Sequence, residues 1–186
     1  PRRFGKTLMM SMLESFFDIR RDSSELFRSL NIQVHHPDFC REWMNQYPTL
    51  FVTLKDVEGL NFEAALDMLK ILISNLCIRH ACLAEDRRVD SRDRMTFLRL
   101  KNREASLAEL KCALDTIMRM MRAVYGRPVI LLMDEYDVPL SRAAETENRD
   151  DYRKMLDVIR GIMSISMKTN ENLCFAVITG CLRIAK

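Results

Sequence analysis

The chain has 186 residues, 48% hydrophobic, 30% charged and 8% aromatic, enough for one sizeable core. Five glycines and five prolines exclude a collagenous or low-complexity protein, and no apolar run approaches the roughly 18 residues of a membrane span. The net charge of +3, from 29 basic and 26 acidic residues, gives no global footprint for nucleic acid or an anionic membrane.

Apolar residues at 9, 12, 13, 16 and 17 predict a helix from Gly5 to Asp18, opening directly after a basic loop. Ser23–Leu30 reads as a short helix, and 31–40 as irregular chain broken by Pro37. Thr49–Leu54, rich in β-branched and aromatic residues, reads as a buried strand. Asn61 caps a long helix with the stripe Phe62, Leu66, Leu69, Ile73 and Leu76. The stretch Arg79–Arg103, with eight basic and four acidic residues, reads as surface helices and loops. Ser106 and Glu109 form a capping box for a helix whose stripe runs to Val124 and stops at Gly126. Val129–Met133, apolar on both faces, predicts a central parallel strand. A helix over Asp150–Lys168 and a third buried strand, Leu173–Ile178, follow. The alternation is that of an α/β fold with a parallel sheet.

The six cysteines lie at 40, 77, 82, 112, 174 and 181, and no pair has C-x-x-C spacing. Reduced thiols and an intracellular, cytoplasmic protein are expected. Thirteen methionines, mostly at helical spacing, read as adaptable core filler. The chain opens Pro1-Arg2-Arg3 without an initiator Met and stops at Ala185-Lys186. It is therefore expected to be a piece of a longer protein, one domain over residues 1–186 truncated at both ends.

Three places carry chemistry. Gly5-Lys6-Thr7 stands at the mouth of a helix. A phosphate loop needs backbone N–H groups and a helix N-terminus facing the ligand, a lysine for the β/γ-phosphates and a hydroxyl for Mg²⁺. Val129–Met133 leads straight into Asp134-Glu135, and two acids ending a buried strand are costly unless paired or bound to a metal. In phosphate-binding α/β folds the first acid orients the Mg²⁺ shell and the second activates the attacking water. Thr179-Gly180 closes the next strand, where Thr179 can touch the attacking water or the γ-phosphate. Arg183 faces either a phosphate or solvent.

The segments Pro1-Arg-Arg-Phe-Gly-Lys-Thr7, Ile130-Leu-Leu-Met-Asp-Glu-Tyr-Asp-Val-Pro139 and Ile178-Thr-Gly-Cys-Leu-Arg-Ile-Ala-Lys186 resemble the AAA-ATPase-like family of predicted P-loop ATPases. The likeness extends to the strand at Phe51–Asp56 and the capping-box helix, and so to essentially the whole chain. In that family the domain is often joined to a C-terminal PD-(D/E)xK-type nuclease-like domain. The resemblance implies a three-layer P-loop core of the additional-strand, AAA-like kind, whose first strand is missing here and belongs beside Val129–Met133 and Leu173–Ile178. It also implies that Lys6, Thr7, Asp134 and Glu135 bind and hydrolyse ATP with Mg²⁺. The loop departs from the usual pattern, because Pro1, Arg2 and Arg3 fill positions that are usually small. Proline offers no N–H, and Arg2 or Arg3 is expected to compensate by direct phosphate contact.

Other combinations were weighed and set aside. His35-His36-x-Asp38-x-Cys40 matches no zinc spacing and reads as a solvated loop. Glu109-Leu110-Lys111 lies in a helix and is not a nuclease site. His80 reads as core-edge, and no Gly-x-Ser-x-Gly elbow or Asn-Lys-x-Asp guanine-reading motif occurs. Glu135 beside Asp134 argues against a small-molecule kinase, which must avoid activating water. The sequence therefore predicts an Mg²⁺-dependent ATPase domain coupling nucleotide state to a partner or attached domain. The rival is a nucleotide-dependent interaction module that does not hydrolyse. A nucleic-acid contact at Arg79–Arg103 lacks interleaved aromatics to support it, Phe97 standing alone.

Overall fold

The computed structural model describes residues 5–145 and 148–181. Gly5 enters helix α1 (Lys6–Phe17) with left-handed backbone, φ 73°. A Cβ there would meet nothing within 4 Å, so conformation and not crowding selects glycine. Short helices α2 (Ser24–Phe27), α3 (Asn31–His35) and α4 (Pro37–Trp43) follow. The region expected to be irregular is thus two helices. Pro37 stands at the start of α4, where a missing N–H costs nothing. The His35–Cys40 stretch, expected as a solvated loop, lies within these helices, with Cys40 buried.

Strand β1 (Thr49–Thr53) leads to α5 (Phe62–Arg79), whose cap is Asn61, its side chain accepting the Ala64 N–H at 2.9 Å. A 3₁₀ turn (Ala81–Glu85) and α6 (Ser91–Asn102) occupy the charged stretch. That stretch is not all surface, since Leu83, Val89, Phe97 and Leu100 are buried. Its charges face one another: Arg88 pairs with Asp86, Arg99 with Glu109, and Asp93 with Arg119.

The Ser106–Glu109 capping box forms, but its helix, α7 (Leu107–Lys111), is short. Cys112, at φ −89° and ψ 0°, interrupts the path before α8 (Ala113–Tyr125). The apolar stripe continues across the break, which is why the sequence reads as one helix. Gly126, at φ 70°, ends α8 as predicted. Strand β2 (Val129–Asp134), an unforeseen helix α9 (Val138–Glu145), α10 (Arg149–Met167) and β3 (Leu173–Ile178) complete the described chain.

The three strands form a parallel sheet in the order β1-β2-β3. Side chains alternate between its faces. Leu50, Val52, Leu131 and Met133 pack with α5, α8 and α10, the helices of the two crossovers. Ile130 and Leu132 face the other way, onto Met10, Phe16 and Phe17 of α1, Phe27 of α2 and Cys40 of α4. Helices therefore cover both faces, and β2 is buried along its whole length.

The two edges of the sheet differ. Along β1 the outward carbonyls are occupied: Arg20 Nη2 donates to the Thr49 carbonyl at 3.3 Å and Arg79 Nη2 to that of Phe51 at 3.4 Å. Arg20 also clasps the buried Asp18 carboxylate and donates to Nδ1 of the buried His80 at 3.0 Å. Burial, reinforced by Arg20 and Arg79, pushes His80 down to about 4. The opposite edge, β3, pairs with β2 alone among the described residues. It is half-buried from end to end, not buried as its apolar run suggests. The space beside β2 is filled on both sides, so the sequence expectation of a further strand there is corrected. Open pairing positions lie on the far side of β3. Among the described residues, no helix is long and apolar enough to cross a membrane.

Candidate functional site

A parallel sheet gathers the carboxyl ends of its strands on one side, where connecting loops leave a crevice. Here those ends carry Thr53, Asp134 and Thr179, and the first turn of α1 docks against them. Among the described residues no side chain caps α1 and its first turn holds no acid, so its leading N–H groups and positive dipole end are available to an anion.

The docking is specific. Thr7 Oγ1 donates to Asp134 Oδ2 at 2.9 Å, joining residues 127 apart in sequence. The Thr179 hydroxyl donates to the other oxygen, Asp134 Oδ1. Asp134 is 1% exposed, so each of these bonds replaces a water that burial removed. Two backbone bonds fix the carboxylate's base: Leu54 N–H to the Asp134 carbonyl at 3.0 Å, and Thr179 N–H to that of Met133 at 2.9 Å.

Glu135 follows at φ 53°, a left-handed conformation that a glutamate adopts only at some cost. The sharp turn it makes sends Tyr136 and Asp137 back over the tip of β3. Tyr136 N–H reaches the Thr179 carbonyl at 3.3 Å, and the buried Asp137 accepts the Cys181 N–H at 2.8 Å. Gly180 sits beneath them. A Cβ there would stand 2.5 Å from Tyr136 Cε1 and 2.6 Å from Asp137 Oδ1, so no larger residue fits without displacing these two side chains.

Lys6 lies over this group and donates to Cys181 Sγ at 3.2 Å. That bond raises its ammonium above the usual lysine value; desolvation opposes the rise, and Cys181, Asp137 and Asp134 add to it through their charges. Lys6 therefore keeps its charge and holds it beside two buried carboxylates.

Of the residues singled out from sequence, the structure brings together Gly5, Lys6, Thr7, Asp134, Glu135 and Thr179. Arg3 and Arg183 lie outside the described residues. Sequence reasoning assigned no role to Asp137, Cys181 or Thr53. Asp137 carried a usable signal, as a third acid within four positions at the end of an apolar strand. Cys181 carried none. Among the described residues no group of three His, Cys, Asp or Glu side chains could hold a metal ion. A Mg²⁺ ion bound with a nucleotide needs less, because it keeps several waters and takes phosphate oxygens.

Known proteins give a consistent picture. A protein of Azotobacter chroococcum mcd 1, described as an uncharacterized protein in the vnfD 5′ region, is 27% identical over 192 residues, covering 100% of this chain and 30% of that protein. The chain thus spans under a third of the length of this curated relative. No solved structure matches. The sequence pattern of the family described as predicted AAA-ATPase matches residues 1–186, a span that includes Lys6, Thr7 and both acids. On that match over its whole length, the chain belongs to the predicted AAA-ATPase-like family.

Proposed function

We propose that this chain binds ATP with Mg²⁺ at the crevice between α1 and the strand ends, hydrolyses it, and passes nucleotide state to an attached domain or a protein partner. The observation that carries the reading is the hydrogen bond from Thr7 to Asp134. It joins a phosphate-loop hydroxyl to a strand-end acid, the pair needed to hold a divalent cation beside a nucleotide.

The residues suit the ion. Asp134 is buried, is held by two hydroxyls and forms no direct ion pair among the described residues, with the Lys6 ammonium standing nearby as the opposite charge. Thr7 and Asp134 would hold Mg²⁺, which would supply neutralising charge to the nucleotide phosphates. Lys6 supplies a permanent positive charge to the same phosphates, and the α1 N-terminus supplies aligned N–H groups. Glu135, next to Asp134 and half-exposed, takes the proton of the attacking water. Thr179 reports the state of the γ-phosphate to β3 through its bond to Asp134. The core is read as the additional-strand kind of P-loop fold, its loop-feeding strand pairing on the open edge of β3. Coupling to an attached domain, nuclease-like in the resemblance, is supported by the larger size of the curated relative.

Separate measurements of nucleotide affinity and phosphate release test this. Lys6→Ala is expected to abolish binding of a fluorescent ATP analogue in the presence of Mg²⁺. Glu135→Gln is expected to retain binding while losing on the order of 10²–10⁴ in turnover, the size of a general-base contribution. An unchanged rate in Glu135→Gln removes that residue from the chemistry, and unchanged binding in Lys6→Ala removes the site.

A further inference from the structure

Asp134 has a threonine on each side. On the β3 side Thr179 bonds to it. On the β1 side stands Thr53, its register partner in the parallel ladder. Register partners project to the same face of a sheet, and strands lie about 4.8 Å apart. The preceding pairs confirm the parity: Val52 and Met133 share one core, Phe51 and Leu132 the other, so Thr53 and Asp134 both project toward α1 and Thr7. Yet the Thr53 hydroxyl oxygen is buried and has no hydrogen-bond partner among the described residues.

A buried hydroxyl without a partner is costly, and native folds seldom keep one without a use. Valine has the same shape and would avoid the cost. The orphan also lies beside the single buried carboxylate to which Thr7 and Thr179 already donate, at the strand ends where a ligand would sit.

We propose that Thr53 is a positioning residue for the divalent cation: its hydroxyl accepts a hydrogen bond from a water in the coordination shell that Asp134 orients. This rests on the ATP and Mg²⁺ reading and adds to it a contact from β1, a strand the phosphate-loop motifs do not include. Threonine suits the role because its oxygen accepts from the water while its methyl fills the α1 face of the sheet.

The test uses Mn²⁺, whose paramagnetic signal reports its free concentration, titrated into the protein with a non-hydrolysable ATP analogue. Thr53→Val is expected to weaken Mn²⁺ binding by about 10-fold or more, the usual size of an outer-shell loss. Thr53→Ser is expected to stay within about twofold of the parent, a range set by keeping the hydroxyl. The melting temperature of ligand-free Thr53→Val should equal or exceed that of the parent, because the variant removes an unsatisfied group. Parental Mn²⁺ affinity in Thr53→Val overturns the proposal, as does Thr53→Ser binding as weakly as Thr53→Val. A lowered melting temperature in Thr53→Val shows that the hydroxyl has a partner within the fold, and also overturns it. If the parent protein binds no Mn²⁺ with the nucleotide, the underlying ATP reading falls too, a result distinct from the other three.

Discussion

Asp134 shows how one carboxylate makes two chemically identical substitutions act in opposite ways. Thr179→Val removes a hydroxyl that an almost fully buried oxygen depends on, whereas Thr53→Val removes one that has no partner among the described residues. Thr179→Val is therefore expected to lower stability by about 1–3 kcal/mol, the cost of stranding a buried acceptor. Urea unfolding of the ligand-free protein measures it; an unshifted midpoint would mean that Asp134 Oδ1 finds another donor. At this scale the sequence was legible where spacing encodes chemistry. Gly5-Lys6-Thr7 and Asp134-Glu135 are adjacent residues whose types state their needs, and the fold brings them together across 127 positions. Thr53 was illegible because a threonine on a strand is ordinary, and only the register reveals which side chain it stands beside. The turn that folds Asp137 onto Cys181 was hidden too, because the left-handed backbone at Glu135 has no signature in a glutamate.

Helices and strands were readable wherever a period or a cap carried information. The capping box at Ser106, the Asn61 cap and the glycine stop at 126 all appear as the pattern predicts. What the pattern could not give was context. An apolar hexapeptide reads the same whether it pairs on one edge or two, and β3 thus reads as a buried strand although it is half-buried. Its one-sided pairing has a measurable result. Thr179 N–H points to β2, so by alternation those of Phe175 and Val177 do as well, while Ala176 and Ile178 point to the open edge; the register shift opposite Val129 ends the alternation before Cys174. Hydrogen exchange on residues 1–186 is expected to show slow amides at 175 and 177 and fast ones at 176 and 178. Uniform protection along β3 would mean that a further strand or a second copy covers that edge. Pro37 teaches the complementary lesson: proline breaks a helix from within but begins one without cost, and the residues around it do not say which applies.

At the scale of the whole molecule, the α/β class and parallel sheet follow from the alternation of elements, while strand order and edge treatment emerge only from the assembled structure. The cluster of Arg20, Asp18 and His80 ties the end of α1 to the start of β1 and the end of α5. Arginine can only donate, so Nδ1 of His80 accepts and the ring is neutral with its proton on Nε2. Its folded value of about 4 lies below the ordinary 6.5, so the unfolded chain takes up the proton first as pH falls. Stability is complete above pH 6.5 and is lost progressively down to about pH 4, by up to about 3 kcal/mol. Urea midpoints across that window should fall more steeply in the parent than in His80→Gln; equal slopes would locate the acid sensitivity elsewhere. The guanidiniums of this cluster and of Arg79, set on the outward carbonyls of β1, also decide what kind of aggregate the sheet can form. The loop-feeding strand would cover the β3 edge, whereas the β1 edge carries arginine on two of its outward carbonyls. Edge-to-edge addition of a second copy along β1 is therefore disfavoured, because part of the pairing surface it needs is already taken.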